Sequence, residues 1–524
     1  MKKIILSLAV IISAQVNAQH QYWQQEVNYS IDVKLNVNDK SIKAFEQMEY
    51  INHSPDTLTF IWFHLWPNAY KNEKTALYAQ YKEGDKEGAK KFKQAAKGYI
   101  DSLDFKVNNV SVTVEADKKN IDVVKIILPK PLLPGEKINI STPFYVKFPT
   151  YFSRSGFIDD AFAVCQWYPK PAVYDRKGWH PMPYLNMGEY YSEFGSFTVN
   201  ITVPSNYVVA ATGALQNTDE LQLLKATGVI NKTKTENFTP YTPLSTKAFK
   251  TLQYKAENVH DFAWFTDNDF VVQYDTLGLP SGKIIDAFTF FSNKANTEWS
   301  KSISHVEDAV RHYSNWIGEY PYPAVSAVEG PGNVSSGGME YPMVTLITSP
   351  DANTETLDAV ITHEVGHNWF YGILGSNERA HAWMDEGLNS FFQFRYEAEK
   401  YRSNSIFGSD LPAELKQRGP AEFLAIIYNA LNEIPMKDAI ETPSEEFKNK
   451  EEYGMVIYLK TAIWAFLLEQ ELGRPVFDKA IHTYYEQWKF RHPYPEDFKQ
   501  VLESVSNRRL DDIFLRLKEK GKLL

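Results

Sequence analysis

Five consecutive residues of the chain contain the side-chain types that bind and use a metal ion: His363-Glu364-Val365-Gly366-His367. On an α-helix, residues four positions apart lie on one face, so both imidazoles can reach a single ion. Zinc accepts such nitrogen ligands in a tetrahedral site, and a catalytic zinc leaves its fourth position to water. Glu364, on the adjoining face, can take a proton from that water.

A third ligand is expected at Glu386, which eighteen residues separate from His367. The gap holds a loop and the start of a second helix, so the Glu386 carboxylate can turn back toward the histidines. By itself, the pair Asp385-Glu386 also fits an acidic helix N-terminus, where the macrodipole stabilises negative charge. Together with the histidine motif, the spacing predicts one Zn²⁺ per chain, bound by His363, His367 and Glu386.

These residues, with a second motif upstream, resemble the aminopeptidase N family of gluzincin zinc metallo-aminopeptidases. The second motif, Gly337-Gly338-Met339-Glu340-Tyr341, is similar to the family's Gly-x-Met-Glu-Asn motif, which lines the substrate cleft. The resemblance implies that Glu340 binds the free α-amine of a peptide and that the three residues before it border the cleft. Tyr341 departs from the family's Asn, and the two glycines also suit a tight turn.

Two more site residues are implied by the resemblance alone. Tyr458 stands in a context similar to that of the family's tyrosine that stabilises the oxyanion, where a phenol donor is strongest in the transition state. Tyr453 is its rival, because 31 tyrosines make any single one a weak signal. Gln166 resembles the glutamine that helps to hold the substrate amine, and a structural polar residue on a strand edge is the alternative.

The function predicted from these residues is hydrolysis of N-terminal residues from peptides with a free N-terminus. In this scheme Glu364 is the general base and Tyr458 stabilises the oxyanion beside a zinc-activated water. Two alternatives stay open. One is a zinc metallo-endopeptidase with an open cleft, and the other is a non-catalytic binding protein with a decayed metal site. The sequence leaves the oligomeric state open.

The elements that must position these residues change in character near residue 272. Up to there, short β-branched and aromatic runs with period two predict an antiparallel β sandwich or saddle domain, residues 19–272, interrupted by a charged helix at 71–97. From 273 to 524, longer segments at helical spacing, with the resemblance, imply a thermolysin-like α/β-α zinc catalytic domain. Its helices are expected at 299–316, 356–371, 388–399 and 453–472. The chain has no room for the large C-terminal helical domain of bigger relatives, so we expect an open cleft.

Composition and the first residues restrict the protein class further. The chain has 524 residues and a formal charge of −10, from 55 Lys and Arg against 65 Asp and Glu, which argues against nucleic acid as a partner. Its one cysteine, Cys165, excludes an intrachain disulfide. The charged start, the short apolar run and the small residues up to Ala18 predict a signal peptide, residues 1–18. We therefore expect an exported protein, periplasmic or secreted, without a transmembrane segment in the mature chain.

Overall fold

The computed structural model describes residues 22–188, 190–332, 337–409 and 411–521. The predicted signal peptide, residues 1–18, lies outside them. Within the described ranges, no helix has both the length and the apolar character needed to traverse a bilayer. The architecture is multidomain, with a β-rich first part and a largely helical second part.

Nineteen of the strands in the described ranges belong to the first part of the chain. They are β1 (Glu26–Asn36), β2 (Ser41–Ile51), β3 (Leu58–His64), β4 (Tyr99–Asp101), β5 (Lys106–Val107), β6 (Val110–Ser111), β7 (Val114–Ala116), β8 (Val123–Leu132), β9 (Lys137–Lys147), β10 (Gly156–Ile158), β11 (Ala161–Val164), β12 (Lys170–Pro171), β13 (Tyr174–Asp175), β14 (Gly178–Trp179), β15 (Gly195–Pro204), β16 (Val208–Ala211), β17 (Ala214–Leu215), β18 (Phe249–Val259) and β19 (Trp264–Asp267).

The largest sheet has nine strands, eight of them in the order β17-β18-β15-β1-β2-β9-β5-β6, with β4 also paired to β9. Every second residue of β1 from Val27 to Leu35 is buried, so one face of the strand forms core. The predicted antiparallel pairing holds throughout this sheet except between β1 and β15, which are parallel. Strands β1 and β2 are joined by a tight turn and must be antiparallel, whereas the long connection from β1 to β15 permits a crossover.

Two four-stranded sheets and one hairpin complete the β-rich part. Their orders are β10-β11-β19-β16, β12-β3-β8-β7 and β13-β14. The buried apolar side chains of these sheets and of the helical part form one continuous cluster. The two parts are therefore packed together through a shared core.

The second part contains a five-stranded sheet in the order β20-β21-β22-β24-β23. Its strands are β20 (Phe270–Gly278), β21 (Ile284–Ser292), β22 (Ala324–Glu329), β23 (Gly338–Tyr341) and β24 (Val344–Ile347). The pairs β21·β22 and β22·β24 are parallel, and the others are antiparallel. The predicted domain boundary between residues 272 and 273 falls within β20.

Helices cover most of the remaining chain. The α-helices are α1 (Ala76–Gly84), α2 (Lys86–Gln94), α3 (Thr218–Lys232), α4 (Ser302–Trp316), α5 (Thr354–Gly366), α6 (Glu378–His381), α7 (Glu386–Tyr401), α8 (Ala413–Lys416), α9 (Pro420–Asn432), α10 (Lys450–Tyr453), α11 (Thr461–Leu472), α12 (Arg474–Trp488), α13 (Pro495–Ser506) and α14 (Asp511–Leu515). Short 3₁₀ turns lie at Trp66–Tyr70, Thr297–Lys301, Ala382–Met384, Ser444–Glu446 and Arg516–Lys518, and a π-helical segment lies at Gly454–Lys460.

Three predicted helices differ from those observed. The segment 71–97 forms two helices, because the side chain of Asp85 accepts the N–H of Gly88 and starts α2 anew. Helix α5 ends at Gly366, whereas the predicted helix ended at residue 371. The apolar residues after Gly366 that continue the helical spacing lie in turns. The predicted helix 453–472 is interrupted by the π-helical segment, whose wider hydrogen bonding the periodicity did not indicate.

One buried histidine in the core predicts how stability depends on pH. His260 is 2% exposed beside Phe194 and Tyr371, and among the described residues neither ring nitrogen has a hydrogen-bond partner. Burial lowers the pKa of His260 to about 3, whereas the unfolded chain protonates near 6.5. The stability contributed by keeping this ring neutral is thus complete above pH 6.5 and is lost as pH falls toward 3.

Replacing His260 by phenylalanine should remove this dependence. We expect His260→Phe to be more stable than the wild type at pH 5, by about 2 kcal/mol or roughly 2 °C in Tm. The difference should shrink at pH 7.5, as measured by thermal unfolding across that range. The exposed His482, changed to glutamine, serves as control and should leave the pH slope unaltered. An unchanged slope in His260→Phe would contradict the assignment.

Candidate metal centre and cleft

Two helices place the three predicted metal ligands together. Helix α5 begins where the side chain of Asn353 accepts the N–H of Thr356, and it carries His363 near its C-terminal end, with His367 as its cap. Helix α7 begins at Glu386, where the helix dipole stabilises a negative charge. All three side chains are buried and converge on one point.

The distances between the three ligand atoms fit a tetrahedral zinc site. His363 Nε2 lies 3.1 Å from His367 Nε2, and Glu386 Oε2 lies 3.2 Å from each of these nitrogens. Ligands about 2.0 Å from an ion in tetrahedral geometry are about 3.3 Å apart. Two nitrogens and one carboxylate oxygen are also the donor set that catalytic zinc prefers.

Two neighbours fix the orientation of the imidazoles. His367 Nδ1 lies 2.6 Å from Asp385 Oδ1, and His363 Nδ1 lies 2.8 Å from Gln393 Oε1. Both oxygens accept hydrogen bonds, so each Nδ1 carries the proton and each Nε2 directs its lone pair at the ligand position. Sequence reasoning missed both roles, although Asp385 adjoins Glu386 and Gln393 follows it by two helical turns on α7.

The charges around the cluster favour a cation. Burial lowers the pKa of His363, so its ring is neutral. Burial also opposes protonation of His367, but the charges of Asp385 and Glu386 outweigh it and raise the pKa of His367 well above its ordinary value. The two histidines lower the pKa of Glu386 despite its burial. A buried site with two adjoining carboxylates is therefore stabilised by a bound positive charge.

Glu364 lies beside the ligand cluster and faces β23. A Cβ atom at residue 338 would come within 2.5 Å of Glu364 Cγ, so the close approach of β23 requires the glycine found there. Burial raises the pKa of Glu364 to about 8. Its Oε2 is buried and accepts no hydrogen bond from the residues that the structure describes. The carboxyl group is thus available to exchange a proton inside the site.

Glu340 projects from β23 into the same cleft, which has a volume of about 640 Å³. Gly337, Gly338 and Met339 line the cleft beside it, as the motif predicted. An oxygen of Glu340, one of Glu364 and a ring nitrogen of His367 all lie within 4.8 Å of one another. Burial raises the pKa of Glu340 well above its ordinary value.

Helix α10 and the π-helical segment that follows it bring the two candidate tyrosines, Tyr453 and Tyr458, to the cleft. The hydroxyl of Tyr458 donates a hydrogen bond to Glu386 Oε1, and its ring stacks 5.8 Å from that of His363. Tyr453 also lines the cleft, with its ring 6.1 Å from that of Tyr458. Gly387 permits the close approach of α7 to the π-helical segment, since a Cβ there would lie 2.7 Å from the carbonyl oxygen of Ile457.

Gln166 is placed behind the cleft. It is 2% exposed, has a left-handed backbone with φ of 46°, and donates its amide N–H to the hydroxyls of Tyr341, at 2.9 Å, and Tyr190. Tyr341, which stands where the family motif has asparagine, thus accepts a hydrogen bond from the Gln166 side chain. Its role in binding the amine stays a prediction.

Other cleft residues come from segments that no motif indicated. Arg154 lies just before β10 and Glu378 opens α6, yet both line the cleft near the metal ligands. Arg154 is 5% exposed and Glu378 is 2% exposed. Nothing in the local sequence ties either residue to the histidine motif, so only the tertiary fold reveals them.

The fold and the site define the class of the protein. A β-rich part and a helical part enclose a buried His-His-Glu cluster with an adjoining glutamate, and two nitrogens with one carboxylate are a donor set that catalytic zinc prefers. Residues 303–517 match the family model described as Peptidase family M1 domain. The match confirms the resemblance to the aminopeptidase N family, and this part of the chain is a peptidase-class enzyme domain.

Curated relatives match less than half of the chain. The puromycin-sensitive aminopeptidase of Caenorhabditis elegans is 22% identical over 253 residues, which cover 46% of this chain and 25% of that protein. Leucine aminopeptidase 2 of Sclerotinia sclerotiorum is 29% identical over 194 residues, which cover 35% of this chain and 29% of that protein. The matched segments span about a quarter to a third of these relatives.

Solved structures match the fold over nearly the whole chain. The M1 zinc metallopeptidase of Deinococcus radiodurans has a TM-score of 0.64 at 14% identity, covering 95% of this chain and 94% of that one. A mutant of it bound to a Tyr-Ser-Ala substrate has a TM-score of 0.63 at 13% identity, covering 96% of both chains. Aminopeptidase A of Legionella pneumophila has a TM-score of 0.64 at 12% identity, with 96% of this chain covering 50% of that chain.

Proposed function

We propose that the protein is a zinc-dependent aminopeptidase that hydrolyses the N-terminal residue from peptides. The observation that carries the proposal is the convergence of His363, His367 and Glu386 at 3.1–3.2 Å, with Glu340 and Glu364 in the same cleft. His363, His367 and Glu386 would hold the ion. Bound zinc supplies Lewis-acid polarisation of water and of the scissile carbonyl.

The side chains of the cleft divide the remaining work. Glu364 takes a proton from the attacking water and later delivers it to the leaving amine. Tyr458 donates its hydroxyl proton in a hydrogen bond to the developing oxyanion, a role favoured over Tyr453 by its contact with Glu386. Glu340 accepts a hydrogen bond from the substrate α-ammonium and so sets which peptide bond is cleaved.

The setting of this site also belongs to the proposal. We infer a thermolysin-like arrangement of the five-stranded sheet with helices α5 and α7, and a single zinc ion per chain. We further infer export by cleavage after Ala18, which rests on the order of charged, apolar and small residues at the start of the sequence. N-terminal sequencing of the mature protein tests that inference, and a first residue other than Gln19 would count against it.

Chromogenic aminoacyl substrates and blocked peptides test the activity. We expect the protein to release single N-terminal residues from free peptides, to lose this activity with a chelator, and to spare peptides with acetylated N-termini. Cleavage of acetylated peptides at internal bonds would favour the endopeptidase alternative. Purified protein without zinc and without turnover would favour a binding protein.

Replacing Glu340 by alanine should mainly abolish the preference for a free amine. Hydrogen bonds to charged groups are worth about 1.5–3 kcal/mol, so kcat/KM for aminoacyl substrates should fall by about 10- to 100-fold. Zinc content, measured by mass spectrometry, should stay at one ion per chain. The variant Glu340→Gln, which keeps the shape but not the charge, should show the same loss. If both variants preferred substrates with a free amine as strongly as the wild type does, the role of Glu340 would be refuted.

A further inference from the structure

A second carboxylate stands beside Glu340 in the cleft. Glu378 and Glu340 both line it, and one oxygen of each, together with one of Asp385, lie within 4.8 Å of one another. Asp385 is fully buried and is engaged with His367 through Oδ1 at 2.6 Å. Of the three carboxylates, only Glu340 and Glu378 therefore face a substrate.

The two carboxylates of this pair can accept hydrogen bonds from a cationic ligand in the cleft. Glu340 is 8% exposed, and its carboxylate accepts no hydrogen bond from the residues that the structure describes. Asp385 Oδ2 is likewise buried without a partner within the described ranges. Two buried carboxylates this close repel each other unless a positive charge lies near both. Both observations point to a ligand that donates protons and carries positive charge.

The spacing suits a single ammonium group. A nitrogen that donates two tetrahedrally arranged hydrogen bonds of about 2.8 Å joins oxygens about 4.6 Å apart. The backbone N–H of Tyr190 donates to Glu378 Oε2 at 2.9 Å, and a carboxylate with about four lone-pair sites keeps acceptor capacity beyond that bond. The Oγ of Ser444 donates to the backbone carbonyl of Glu378 at 3.0 Å, which anchors the residue.

We propose that Glu378 is a second substrate-binding carboxylate, so that Glu340 and Glu378 hold the α-ammonium of the peptide between them. The inference rests on the proposed aminopeptidase function and extends it. The proposal assigns to Glu378 the contact with the substrate amine that the resemblance assigned to Gln166. The Gln166 amide instead donates to two tyrosine hydroxyls behind the cleft. The preferred substrate is then a peptide whose first amine is protonated.

The test compares two matched substrates, an aminoacyl anilide and the α-hydroxyacyl anilide in which a hydroxyl replaces the ammonium. In the wild type the amine should be preferred strongly. In Glu378→Gln the ratio of the two kcat/KM values should fall by about 10-fold or more, mostly through KM for the amine. Because it is a ratio, the amount of folded enzyme cancels. Glu445→Gln, which removes an exposed carboxylate 3.8 Å from Arg379, is the control and should keep the ratio.

Each outcome decides a different question. A wild type that does not prefer the amine would refute the aminopeptidase function itself. A wild type that prefers it, with an unchanged ratio in Glu378→Gln, would overturn only the role of Glu378. An equal loss on both substrates would also overturn it, because that is the effect of a structural residue. A second metal ion per chain that disappears in Glu378→Gln would assign the carboxylates to a metal instead.

Discussion

Replacing Glu364 by glutamine is expected to lower kcat by about 1,000-fold while zinc content is unchanged. The carboxylate is not one of the three converging ligands, and glutamine fills the same space against Gly338. What it cannot do is accept the proton of the attacking water. Steady-state kinetics with an aminoacyl substrate, together with metal analysis of the same sample, measure both parts of the expectation.

The matched control is Glu355→Gln on the same helix. Glu355 is exposed in the first turn of α5, far along the helix from the ligands, and its variant should retain turnover close to that of the wild type. Substantial turnover in Glu364→Gln would exclude a general-base role for this residue and with it the scheme of proton transfer.

Removing the metal is the second change with a large expected effect. Dialysis against a chelator should abolish turnover, and about one equivalent of Zn²⁺ should restore it. The buried ligand cluster loses its countercharge, so stability should fall as well. For zinc held at 1,000 times its Kd the bound ion contributes about 4 kcal/mol, or a Tm difference of roughly 4 °C for a chain of this length.

Two histidine variants test whether the loss of turnover and stability on metal removal comes from the predicted metal site. His367→Ala should bind no zinc, and its Tm should not respond to the chelator. His482→Ala, which changes an exposed histidine on α12, should behave as the wild type does. A His367→Ala protein that retains stoichiometric zinc, or a zinc-free wild type with full turnover, would contradict the metal site.

The metal ligands could be predicted because their chemistry is local in sequence. His363 and His367 share one helical turn, and Glu386 follows after a short gap, so spacing alone placed three of the ligand atoms together. The alternation in β1 likewise indicated a half-buried strand. Glu340 required a second motif, since its approach to the ion depends on how β23 packs against α5.

Other features depend on contacts between distant segments and leave no periodic signal. Glu378 lines the cleft because the fold brings the start of α6 close to Glu340, and the Gln166 side chain donates a hydrogen bond to Tyr341 from a distant segment. The π-helical segment that presents Tyr458 differs from an α-helix by its hydrogen-bond ladder, which residue type does not specify. These features are set by tertiary contacts between segments far apart in the chain, and the residue pattern of a single sequence does not indicate such contacts.

The walls of the cleft come from both parts of the chain. The metal ligands belong to α5 and α7, whereas Arg154, Met187 and Gly188 reach the cleft from the β-rich part. Substitutions in the β-rich part can therefore change the shape of the cleft while the three candidate metal ligands in the helical part stay unchanged. For the same reason, a fragment trimmed to residues 303–517 would keep every ligand but lose one side of its specificity pocket.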